Sequence, residues 1–153
     1  MIDNIGFFLP KLNGEQHRAI VDHISTYISK NPDKQIVIFC SNSDIVFPWN
    51  VPVLHINEAK YFYGSIMVFD ILSALILKDF KTQKHKYFWI GNGTPWFNNP
   101  TEDYKTFENI FDDTNITFIV TDETVQDIYE ICFNKPKHIF KEFNYENLQK
   151  LIG

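Results

Sequence analysis

The sequence predicts an α/β domain with a mostly parallel sheet between two layers of helix. Short runs rich in β-branched and aromatic residues alternate with stretches whose apolar residues recur at helical spacing. The runs are also solid blocks, such as QIVIFC and ITFIV, rather than every-other-residue patterns. Strands covered on both faces give solid blocks, whereas a half-exposed antiparallel sheet gives alternation. The 153 residues suit one domain, able to bury roughly 68–70% of the surface its unfolded form exposes. No repeat, low-complexity tract or linker divides the chain.

Ile5–Leu9, closed by Pro10, is the first strand. Asn13 then caps a helix, with Gln16 in the capping-box position and Ile20, Ile24, Tyr27 and Ile28 on one face, and Asn31-Pro32 ends it. Gln35–Cys40 is the second strand, followed by the turn-rich SNSD. Val51–Ile56 is the third, where Pro52 suits an edge. Asn57–Tyr63 is ambiguous. Gly64-Ser65 leads into Ile66–Leu77, apolar nearly all round and so read as one buried helix, with Asp70 capping or pairing inside it. Lys78–Lys86, containing Lys81, Lys84 and His85, reads as a solvated connector. Tyr87–Ile90 is the fourth strand.

Thr101 caps a helix whose Tyr104, Phe107, Ile110 and Phe111 share a face. Ile116–Val120 is the fifth strand, and Thr121 or Asp122 caps a helix carrying Val125, Ile128, Tyr129 and Cys132. Lys137–Phe140 is a short sixth strand. Asn144 caps a last helix with Leu148, Leu151 and Ile152 inward. Residues 1–153 thus read as a single three-layer Rossmann-like α/β domain with a mostly parallel, roughly six-stranded sheet. Its expected strand order is 3-2-1-4-5-6, with a flavodoxin-like order as the competitor.

Composition excludes several function classes. With 44% hydrophobic and 16% aromatic residues, fifteen of them Phe, the chain is globular rather than disordered or fibrous. A net charge of −5 and Arg18 as the lone arginine argue against nucleic-acid binding. Cys40 and Cys132 are far apart, lack metal-ligand spacing, and read as reduced core thiols of a cytoplasmic protein. MIDNIGFFLP lacks the pattern of a signal peptide. The run Ile66–Leu77 is shorter than the ~20 residues a spanning helix needs, so no membrane role is expected. Neither a metal nor a cofactor is expected.

In open α/β sheets ligands lie outside the carboxyl ends of the strands where strand order reverses. For 3-2-1-4-5-6 the loops meeting there are Pro10–Gly14 and Gly91–Trp96. Gly91-Asn92-Gly93-Thr94-Pro95-Trp96 is neither GxGxxG nor a P-loop. Its functional reading is backbone amides at Gly91 and Gly93 holding a polar ligand, with Asn92 and Thr94 beside them and Trp96 or Trp89 stacking. The structural alternative is a tight turn with Trp96 packed beneath it. Asn13, Gly14, His17 and Arg18 sit at the first helix start, where an anion is favoured and a histidine can serve as general base. Ser41–Asp44, the pair His55 and Glu58, and Thr121–Glu123 read first as polar turns and caps. Cys40 lacks a base that the sequence can place.

The stretch FIVTDETVQDIYEICFNKPKHIFKEFNYENLQKLI, with GSIMVFDILSA at residues 64–74, the GTPW loop and the pair Val120-Thr121, resembles one Rossmann-like half of GT-B glycosyltransferases. The resemblance implies a domain handling a sugar or nucleotide-sugar ligand, with His17 in the place of the base used by inverting members. PKLNG lacks the paired glycines common there, and a second Rossmann domain is not expected within these 153 residues. A complete enzyme would then need a complementary chain, or this domain works without independent catalysis. The alternatives from other classes are an assembly module forming a homo-oligomer, with Trp49, Trp96 and Phe97 on its surface, and a flavodoxin-like nucleotide-binding domain.

Overall fold

The computed structural model describes residues 4–12, 14–41, 51–91 and 104–152. In chain order the elements are β1 (Ile5–Phe8), α1 (Gly14–Lys30), β2 (Ile36–Cys40), β3 (Val53–His55), a 3-10 helix (Ile56–Tyr61), β4 (Ser65–Val68), α2 (Ile71–Lys78) and β5 (His85–Trp89). They continue with α3 (Tyr104–Phe111), β6 (Ile116–Val120), α4 (Glu123–Cys132), β7 (His138–Ile139) and α5 (Tyr145–Ile152). All seven strands are parallel, in the order β3-β2-β1-β4-β5-β6-β7. Strand β1 lies between β2 and β4, which is the Rossmann arrangement and not the flavodoxin-like one.

The solid apolar blocks find their cause in this sheet. Strands β1, β2 and β4 are buried at every residue, because side chains on both faces are covered. On one face Phe8, Phe39, Ile66, Val68, Phe88, Phe118 and Val120 pack with residues of α2, α3 and α4. On the other, Phe7, Ile38, Met67, Trp89 and Ile119 pack with Val21, Ile24 and Tyr27 of α1 and Leu148 of α5. Helices α1 and α5 are joined by a Tyr27–Tyr145 ring contact at 5.8 Å. Lys34 links them too, its Nζ donating to the Tyr27 hydroxyl and the Ile152 carbonyl, each at 2.9 Å.

The main departure from the sequence reading is GSIMVFDILSA. Read as one buried helix over Ile66–Leu77, it is a strand and a helix. Residues 65–68 form β4, and Asp70, extended at φ −142° and ψ 161°, caps α2. Two apolar elements joined by two residues, with Asp70 as the one polar break, are merged by hydropathy; α2 is apolar all round although Leu72, Leu75 and Ile76 are exposed. Gly64 makes the strand possible. It sits at φ +147°, and a Cβ there would lie 2.3 Å from the Asn4 carbonyl oxygen. That close approach lets the Ser65 N–H donate to Asn4 O at 2.9 Å and sets β4 in register with β1 from Ile5↔Ser65 to Phe8↔Val68.

The sheet therefore has seven strands rather than about six, and the run read as the fourth strand is β5, beginning at His85 and separated from β1 by β4. Residues of the ambiguous stretch form the 3-10 helix, which packs Ile56 and Ala59 on the core beneath it. Of the two thiols, Cys40 is buried as expected, but Cys132 is exposed at the end of α4. Tyr129 and not Cys132 turns inward there.

Substituting Gly64 combines an unfavourable φ with a backbone clash. Gly64→Ala is expected to cost about 2–4 kcal/mol, read as a fall in the urea midpoint at unchanged slope. A loss below about 1 kcal/mol would mean that the junction relaxes freely.

Candidate functional site

The register Phe8↔Val68 brings the carboxyl ends of β1 and β4 level. Beyond it the two chains part. The β1–β2 ladder is prolonged by Leu9 N–H to Phe39 O at 2.9 Å and by Ser41 N–H to Pro10 O at 3.0 Å, so the first loop leans toward β2. From β1 the chain enters α1 on one face, and from β4 it enters α2 on the opposite face. Neighbouring strands that send their helices to opposite faces leave a crevice between them.

The described wall of this crevice is Pro10, Lys11 and Leu12 with the start of α1 on one side, and Phe69 and Asp70 on the other. His17 is half-buried and falls on the stripe that continues through Ile20, Val21, Ile24 and Tyr27, the sheet-facing side of α1; Arg18 is exposed beside it. These two residues stand where the sequence placed them. Gly91 does not. It is exposed after β5, one strand removed from β1, because β4 lies between them. Gly14 opens α1. Asn13, Asn92, Gly93, Thr94 and Trp96, the caps read at Asn13 and Thr101, and Trp49 and Phe97, which the sequence reading put at the surface, lie outside the described residues.

Phe69 and Phe143 stand at this crevice without having been singled out by the sequence, whereas Asp70 was read there only as a cap or internal pair. Phe69 was hidden inside the merged helix. Phe143 belongs to the loop after β7, which reaches back to this region. Its ring meets Trp89 at 5.0 Å, Phe69 at 5.3 Å, His23 at 6.2 Å and Phe7 at 6.4 Å, all edge-on. A Phe two residues before the last helix carries no sequence signal for this role, because its partners are spread over the whole chain.

The electrostatics of this edge are set by helix caps. Asp70 Oδ1 accepts from Ser73 N–H at 2.9 Å while Oδ2 accepts from the Ser73 hydroxyl at 2.6 Å. Asp122 Oδ1 accepts from Val125 N–H at 2.9 Å, and Asn144 Oδ1 from Asn147 N–H at 2.9 Å. The caps read at Asp122 and Asn144 are thus present. The N-termini of α2, α4 and α5 already hold their own oxygen acceptors, which removes three of the amide clusters that a phosphate would use.

Three groups with displaced proton affinity lie elsewhere. Burial lowers the Lys86 pKa, against the opposing pull of Asp113 and Asp79. Burial pushes the Tyr129 hydroxyl far above its usual range. On the edge strand β7, burial and then the charge of Lys137 hold His138 below the ordinary 6.5, and its ring stacks on Phe140 at 5.7 Å. Among the described residues no group of three or more His, Cys, Asp or Glu side chains could hold a metal ion, and no helix is long and apolar enough to cross a membrane.

Compared with protein-family models, curated proteins and solved structures, the chain matches none.

Two outcomes follow from these groups. Asp70→Ala removes both cap bonds and is expected to cost about 1 kcal/mol, whereas Asp70→Asn keeps an acceptor and costs less; equal midpoints for the two variants in urea would contradict the capping role. For His138, the folded state holds the proton less tightly than the unfolded chain. Its contribution is therefore complete above pH 6.5 and is lost as the pH falls through the lower folded value. Stability measured from about pH 8 to about pH 5 is expected to drop on the acid side, and His138→Gln to flatten that part of the curve. An unchanged curve in the variant would remove His138 as the cause.

Proposed function

We propose that the chain is a glycosyltransferase-like half-domain that binds a small polar or carbohydrate ligand in the crevice between β1 and β4. The observation that carries this reading is the departure of α1 and α2 to opposite faces from adjacent strands. The chemistry of the walls favours a ligand rich in hydroxyls over one rich in phosphates. Asp70 is an exposed carboxylate able to accept from hydroxyl groups, and Phe69 offers an apolar face next to it. A nucleotide sugar would have to set its phosphates at the start of α1, near Arg18 and Lys11. Glycosyl transfer in this reading needs a second domain or partner chain, with His17 as the base that deprotonates the acceptor.

A second reading, an assembly module, draws on α2. Its Leu72, Leu75 and Ile76 are 72%, 37% and 45% exposed, and the i, i+3, i+4 spacing puts them on one outward stripe.

Thermal unfolding with a panel of simple sugars, nucleotides and nucleotide sugars separates the two. A crevice ligand at 100 times its Kd stabilises by about 2.7 kcal/mol. Asp70→Asn is expected to abolish that gain while leaving the ligand-free unfolding temperature close to the parent's. No response to any ligand, together with a concentration-dependent dimer that Leu72→Glu dissolves, would establish the assembly module instead.

A further inference from the structure

The loop after β7 does more than return the chain to α5. Its Phe143 meets Phe69 at 5.3 Å and Trp89 at 5.0 Å, with interplanar angles of 81° and 82°. Phe7 and His23 meet the same ring at 88° and 71°. Trp89 is also stacked on Phe140 of this segment at 5.7 Å. Partners on β1, α1 and β5 and at the end of β4 thus fix the orientation of Phe143. A ring fixed in this way loses little freedom when a ligand arrives.

Phe69 and Phe143 are each half-buried, so both rings keep part of their surface open. Set at 81°, they form a corner rather than a flat wall. Each has an exposed carboxylate beside it in the chain, Asp70 after Phe69 and Glu142 before Phe143. Both carboxylates are already held. Asp70 accepts from the Ser73 N–H and hydroxyl at 2.9 and 2.6 Å, and Glu142 Oε1 accepts from the Asn144 side-chain amide at 3.1 Å. An ionised carboxylate has about four acceptor positions, so each keeps places for further donors. Because it only accepts, it pairs with hydroxyls and repels phosphate. Open aromatic surface in turn suits C–H groups. A group with C–H bonds on its face and hydroxyls around its rim is a pyranose ring.

We propose that Phe69 and Phe143 seat the C–H face of a neutral pyranose, with Asp70 and Glu142 accepting from its hydroxyls, so that Phe143 sets the selectivity of the crevice for ring sugars. This rests on the crevice reading above and narrows its ligand class. An acyclic polyol carries the same hydroxyls without a fixed C–H face. A nucleotide brings phosphate to the carboxylates. The corner disfavours both.

The test uses the full chain with the methyl glycosides of glucose, galactose and mannose, against sorbitol, uridine monophosphate and glucose 1-phosphate. At least one methyl glycoside is expected to raise the unfolding temperature saturably. Its C–H protons are expected to show nuclear Overhauser contacts to ring protons whose resonances are displaced in Phe143→Tyr. Phe143→Leu is expected to weaken the Kd of that glycoside about tenfold, and Phe143→Tyr, which keeps the ring, to leave it within about twofold. The ring contacts report on Phe143 even if Phe143→Leu folds poorly. Their absence, or sorbitol or either phosphate compound binding as tightly as the best glycoside, would overturn the proposal. A glycoside Kd unchanged in Phe143→Leu but lost in Asp70→Asn overturns it too, while leaving the crevice reading in place. Binding of none of these compounds overturns both.

Discussion

The rest of the structure depends on β1 being paired on both sides by parallel strands. A strand so placed cannot turn back on itself; it must leave the sheet through a crossover, and crossovers between parallel strands are right-handed. The step from β1 to β2 moves one way and carries α1 over one face. The steps from β4 outward move the other way and carry α2, α3 and α4 over the opposite face. The crevice, the two separate cores and the three-layer architecture all follow from that one placement.

Helix dipoles then give the two edges different signs. At the carboxyl edge the helix starts are met by Asp70, Asp122 and Asn144. At the amino edge the helix ends are met by Lys30, Lys78 and Lys150 in their last turns and by Lys34 at Ile152. Each pairing is modest alone.

The sequence was legible where a physical rule acts locally. The α/β class, the caps at Asp122 and Asn144 and the inward stripe of α1 follow from runs, spacings and cap residues that sit within a few positions of one another. It was not legible where two apolar elements adjoin. Nothing polar marks the end of Val68 and the start of Ile71 apart from Asp70, and a continuous apolar run has no period from which to tell strand from helix. That single merger shifted the strand beside β1 by one and moved the expected partner of PKLNG from Phe69-Asp70 to Gly91. The Phe143 contacts were beyond reach for a different reason: they are assembled from segments that only the finished topology brings together.

The central position of β1 also sets an order in time. It is made first, yet Ile36 begins its neighbour on one side and Ser65 its neighbour on the other. As the chain emerges during synthesis, IGFF remains an exposed apolar strand edge until about residue 68 is available, and no hairpin can shelter it in the meantime. Non-local parallel pairing of this kind slows folding and prolongs the interval in which strand edges can meet those of other molecules. The glycine that lets Ser65 reach Asn4 is thus also the point at which the newly made chain closes its most vulnerable edge.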